Sequence, residues 1–78
     1  MMELKDTIPL MTSDDYRDRL KAEYQQTVIR AVKLSKALEE NKFPMAIQIV
    51  AQTQLNHMLS YIAVLSYRAQ MENIDLED

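Results

Sequence analysis

Phe43-Pro44-Met45-Ala46-Ile47-Gln48-Ile49-Val50-Ala51-Gln52-Thr53-Gln54-Leu55-Asn56-His57-Met58-Leu59-Ser60-Tyr61-Ile62-Ala63-Val64-Leu65-Ser66-Tyr67 runs from Lys42 to Arg68 without a formally charged residue. Its apolar residues recur at helical spacing in more than one direction. One stripe is Ala51, Leu55, Met58, Ile62, Leu65 and Ala69. A second is Ile47, Val50, Gln54, His57, Tyr61 and Val64, and a third direction carries Met45, Ile49, Leu59 and Tyr67. A helix apolar around most of its circumference is buried on more than one side. A membrane span is the competing reading, but Gln48, Gln52, Thr53, Gln54, Asn56, His57, Ser60 and Ser66 are costly in lipid, so no membrane is expected as a partner.

Upstream, Leu20, Tyr24, Thr27, Ala31, Leu34 and Leu38 follow alternating spacings of four and three, with Val28 and Val32 widening the stripe. Arg19, Glu23, Arg30, Lys33 and Glu40 form the opposite, solvated face. Thr12, Ser13, Asp14 and Asp15 make a dense start signal, in which Thr12 or Ser13 caps the exposed amides and the acids suit the positive end of the helix dipole. Asn41 reads as a left-handed cap and Pro44 as the first turn of a new helix. So short a connection makes the helices antiparallel neighbours. Folding about it pairs Leu38 with Ile47, Leu34 with Ala51, Ala31 with Leu55, Thr27 with Met58, Tyr24 with Ile62 and Leu20 with Leu65.

The expected fold is therefore all-α: a long antiparallel helical hairpin assembling into an oligomeric helical bundle. Residues 1–12 read as an N-terminal arm in which Pro9 blocks an early helix. Residues 13–72 read as the hairpin, with helix 1 about 13–41 and helix 2 about 44–71, and 73–78 as a frayed acidic tail. One hairpin covers one stripe of the second helix. Leaving the other wet forgoes roughly 1.5–3 kcal/mol per large side chain, so Ile47, Val50, Gln54, His57, Tyr61 and Val64 are the expected interface with a second copy.

Composition narrows the function. The chain has 78 residues, no glycine and no cysteine, and a net charge of −3. Without glycine there is no phosphate-cradling loop of the P-loop or dinucleotide type. Without cysteine, and with His57 as the single histidine, the usual zinc sites and any disulfide are excluded, and no metal or cofactor is expected. The acidic balance argues against DNA or RNA as partners. No basic-then-apolar leader opens the sequence, so a cytoplasmic location is expected. Asp14, Asp15 and Asp18 are explained by capping, and Glu39 and Glu40 have no histidine at helical spacing. His57 has no evident nucleophile to activate and reads as an interface residue. The chain is not expected to be an enzyme.

Every charge between Glu23 and Glu39 is positive. A solvated helix face explains that run; a phosphate-binding patch beside aromatic rings is the other reading, since arginine suits phosphate and tyrosine stacks on bases. In the hairpin Tyr16 and Leu20 fall near Leu65, Tyr67 and Arg68, gathering tyrosines with Arg17, Arg19 and Arg68 at the open end. Candidate ligand residues are Arg17, Arg19, Tyr24, Arg30, Lys33, His57, Tyr61, Tyr67 and Arg68.

The motifs Tyr-x-x-Arg-Leu-x-x-Glu-Tyr (from Tyr16) and Gln-Leu-x-x-Met-x-x-Tyr-x-x-x-Leu (from Gln54) resemble a group of short helical proteins of tailed phages, crAss-type phages included, over about residues 14–72. In size, hairpin form and oligomerisation the architecture is similar to anti-CBASS and anti-Thoeris sponges, although the Tyr-Arg-x-Leu segment leading into a Leu-Met-Asn run is missing. That resemblance implies a non-enzymatic sponge holding a cyclic oligonucleotide or cyclic ADP-ribose type signal at subunit interfaces. The alternative is a homo-oligomeric interaction module that binds or inhibits a host protein.

Overall fold

The structure, a computed structural model, describes residues 3–76 and is all-helical among them. A 3-10 turn, Leu4–Thr7, runs into a single α-helical turn, α1 (Ile8–Met11). The two long helices follow: α2 (Tyr16–Glu39) and α3 (Met45–Met71).

Helix ends follow from side chains that satisfy exposed backbone groups. Asp15 is the N-cap of α2, its Oδ1 accepting from the Arg17 amide at 2.9 Å. Ser13 braces this start: its hydroxyl donates to Asp18 Oδ2 at 2.8 Å and accepts from the Asp15 amide at 3.1 Å. Thr12 instead closes α1, donating to the Ile8 carbonyl at 2.9 Å. At the other end Asn41 stands at φ 52°. The Lys42 amide reaches the Ala37 carbonyl and the Asn41 amide that of Leu38, the paired bonds of a Schellman cap. α3 ends the same way: Asn73 is at φ 56°, and the Ile74 amide donates to Ala69 at 2.8 Å. The first two residues of the expected frayed tail are thus an ordered cap. In a chain without glycine, asparagine is the residue best able to take the left-handed position.

α2 and α3 pack antiparallel. Leu20, Thr27, Ala31 and Leu38 of α2 are buried, as are Ala51, Leu55, Leu65 and Ala69 of α3. These are the stripes that the four–three spacing picks out. Ala31, Leu38, Ala51 and Leu55 form the core, flanked by Leu34, Phe43, Met58 and Ile62. Ile47 is half exposed, while Phe43 of the turn packs against the core that holds Leu38 and Ala51.

Pro9 does not block an early helix. It occupies the start of α1, where the missing N–H had no intrahelical partner to lose and the fixed φ suits the turn. The segment folds back along α2, on the side away from α3, and Ala22, Gln26 and Ile29 are buried. Thr7, 0 % exposed, fastens it: its hydroxyl donates to the Leu4 carbonyl at 2.7 Å and accepts from Gln26 Nε2 at 2.8 Å. Glu3 pairs with Lys33 at 3.7 Å.

The helix packed on two sides is therefore α2. α3 buries one stripe, and Ile47, Val50, Gln54, His57, Tyr61 and Val64 are all exposed in the single chain.

Candidate ligand-binding site

Two concavities lie along the α2–α3 seam, on opposite flanks. The polar one is a cleft of about 340 Å³ near the open end, lined by Tyr16, Arg19, Leu20, Glu23, Tyr61, Leu65 and Arg68. Its α2 members share one face because 16, 19, 20 and 23 differ by three and four residues; 61, 65 and 68 do so on α3. The floor is apolar, with Leu20 and Leu65 buried. Above it stand two guanidinium groups, a carboxylate and two phenols.

Polar contacts preorganise part of this cleft. Arg19 Nη1 donates to the Ser13 carbonyl at 2.9 Å, tying the guanidinium to the turn before α2 and leaving it other N–H donors. Tyr61 donates its hydroxyl to Glu23 Oε1 at 3.2 Å across the seam. Partial desolvation raises the Tyr61 pKa above its ordinary value of 10.0; the Glu23 charge and hydrogen bond add to this, and the Arg68 charge opposes it. The phenol thus stays a neutral donor. Among the described residues neither Arg19 nor Arg68 makes an ion pair. Chemically the cleft offers cations for an anion, ring faces for a flat group, and a carboxylate for hydroxyl or amine donors.

Of the candidate residues read from the sequence, Arg19, Tyr61 and Arg68 come together here. Arg30 is exposed two turns along the same α2 flank from Glu23, and His57 is exposed one turn from Tyr61 on α3. Arg17, exposed, and Tyr24, half-buried, lie on the other side of α2. Lys33 is on the face taken by the N-terminal segment, paired with Glu3. Tyr67 is 66 % exposed on the outer face of α3. Glu23 escaped the sequence reading because a carboxylate on a charged face passes for solvation. Its spacing of four from Arg19 and seven from Tyr16 was the available signal.

The second concavity is a groove of about 650 Å³ between the middle of α2 and α3. Val28, Val32, Leu59 and Ile62 wall it, and Ala31 and Leu55 lie deeper. Lys36 and Glu39 are its charged members.

Among the described residues no cluster of His, Cys, Asp and Glu is able to hold a metal ion, and no helix is long and apolar enough to cross a membrane. A two-helix hairpin with a docked N-terminal turn and an amphipathic cleft at its open end defines a small all-α binding scaffold. The chain belongs to the Sequestin family, whose family model matches residues 14–71, which span the two long helices and the turn between them. No curated protein and no solved structure matches it.

Proposed function

We propose that the protein is a phage-type, non-enzymatic sponge that sequesters a nucleotide-derived immune signal, of the cyclic oligonucleotide or cyclic ADP-ribose type, in the host cytoplasm. The observation that carries this reading is the cleft of Tyr16, Arg19, Glu23, Tyr61 and Arg68 over a leucine floor. The family name Sequestin, which speaks of sequestration, points the same way. Arg19 and Arg68 meet phosphate oxygens through charge-assisted bonds. The tyrosine rings stack on bases, and Glu23 accepts from ribose hydroxyls or an exocyclic amine.

Size supports a shared site. At about 340 Å³ the cleft is near the lower end of the roughly 300–1,000 Å³ typical of ligand pockets, room for about one nucleotide unit. A cyclic dinucleotide carries two, and two copies meeting along the flank of Tyr61, His57, Gln54 and Val50 would enclose it between paired clefts. Arg30 and His57, further along that flank, become ligand-facing in such an arrangement.

Calorimetry against a panel of cyclic di- and trinucleotides and cyclic ADP-ribose isomers tests the proposal. The expected result is saturable, stoichiometric binding with the ligand recovered chemically intact after denaturation. No heat with any member retires the reading, and a hydrolysed ligand replaces sponge with enzyme. A second reading draws on the exposed Met45, Ile49, Val50 and Val64 of α3: a module that captures a host protein. One stoichiometric host partner, with no small molecule retained, would favour it.

A further inference from the structure

The apolar groove lies on the flank opposite the cleft; Val28, Val32, Ser35 and Glu39 line it from α2, and Lys21 and Gln25 continue their stripe beyond it toward the start of the helix. Lys21, Gln25, Val28, Val32, Ser35 and Glu39 are spaced four, three, four, three and four residues apart, which places them on one stripe. The order of chemistry along that stripe is cation, amide, apolar, apolar, hydroxyl, anion. It is complementary to itself when read backwards.

We infer that this stripe is the seam of an antiparallel two-fold dimer in which α2 of one copy packs against α2 of a second. In the register set by the palindrome, Lys21 meets Glu39 of the partner subunit, Gln25 meets Ser35 of the partner subunit, and Val28 meets Val32 of the partner subunit. Each contact occurs twice, as a two-fold axis requires. Leu59 and Ile62 extend the apolar area from α3.

Two observations favour a second copy as the occupant. First, the charges at the two ends are unmatched within the chain: among the described residues neither Lys21 nor Glu39 makes an ion pair. Second, Gln25 is 9 % exposed, and its Oε1 is buried with no hydrogen-bond donor. An orphaned buried acceptor is costly, and a turn of the amide toward the seam presents it to the incoming Ser35 hydroxyl. The seam leaves the Tyr61 cleft open, and it stands whether or not a nucleotide binds there.

Sedimentation at 1–100 µM (about the range where weak dimers dissociate) tests the inference on the full chain. Wild type should sediment as a dimer or a higher even-numbered assembly. Val32→Asp, at a position already 44 % exposed in the single chain, should abolish the seam while circular dichroism keeps its helical signal. Lys21→Glu should weaken association roughly tenfold or more, because two attractions become two repulsions. Adding Glu39→Lys in the same chain should restore it. A monomeric wild type, or an association constant that neither Val32→Asp nor Lys21→Glu moves, overturns the inference. Register is read separately by oxidising mixtures of single-cysteine variants, since the chain has no native cysteine. Val28→Cys should cross-link with Val32→Cys faster than either does with itself; equal rates overturn the register.

Discussion

Thr7 is the pin that holds the N-terminal segment on α2, and Thr7→Val removes it with little change of shape. Valine fills the volume but neither accepts nor donates. Gln26 Nε2 then loses its 2.8 Å oxygen acceptor and keeps only a contact with Met11 Sδ, and sulfur is a weak acceptor. Both residues are buried, so water does not repair the loss inside the docked segment. An orphaned buried polar group costs about 1–3 kcal/mol. A chain of this length has a total stability of roughly 4–12 kcal/mol by the per-residue rule, so the substitution removes a sizeable share. The midpoint should fall by about 5–20 °C, at about 4–8 °C per kcal/mol for a domain this small. Thr7→Ser retains the oxygen and should cost less than about half as much as valine. The assay is thermal unfolding by circular dichroism, with hydrogen exchange at the Thr12 amide, which bonds to the Ile8 carbonyl at 3.0 Å. If the segment lifts off before the hairpin melts, exchange at Thr12 accelerates more than exchange inside α3. Valine and serine variants of equal stability, both within about 0.3 kcal/mol of wild type, would refute the reasoning.

Leu65, 1 % exposed, should cost about 2–5 kcal/mol on replacement by alanine, measured by urea denaturation; a loss below about 1 kcal/mol would mean the seam is not packed there. Tyr61 should ionise above pH 10, read as the phenolate absorbance missing in Tyr61→Phe. Since its folded pKa is raised, the stability it contributes is fully present below pH 10 and is lost as pH climbs through the raised value. Glu23→Gln should bring that titration back down; a Tyr61 that ionises at or below the ordinary value contradicts the Tyr61–Glu23 contact. For the proposed ligand, Arg19→Ala and Arg68→Ala should each weaken calorimetric affinity about 10–100-fold, as loss of a charge-assisted bond does, whereas Lys33→Ala should leave it unchanged.

Periodicity carried a great deal. The residues buried between α2 and α3, Leu20, Thr27, Ala31 and Leu38 with Ala51, Leu55, Leu65 and Ala69, all lie on the four–three stripes, because the side chains that meet across two helices recur at the helical repeat. Asn41 was legible as a left-handed cap for a local reason: no glycine competes for the position. The N-terminal helix was not legible. Pro9 is a stop signal in mid-helix and a neutral residue in a first turn, and the choice between them is made by Thr7 meeting Gln26, nineteen residues away.

The cleft shows the same division. Tyr16, Arg19 and Glu23 share a face by spacing alone, and so do Tyr61, Leu65 and Arg68. That the two faces adjoin depends on the rotation of one helix against the other, to which both chain segments and the turn between them contribute. Composition and local spacing thus account for the two long helices and the Asn41 cap between them, since those depend on neighbours within a turn or two. Which cations stand beside which phenol, and which side of α2 the first residues cover, are contacts between residues far apart in the chain. They exist only once the helices have packed.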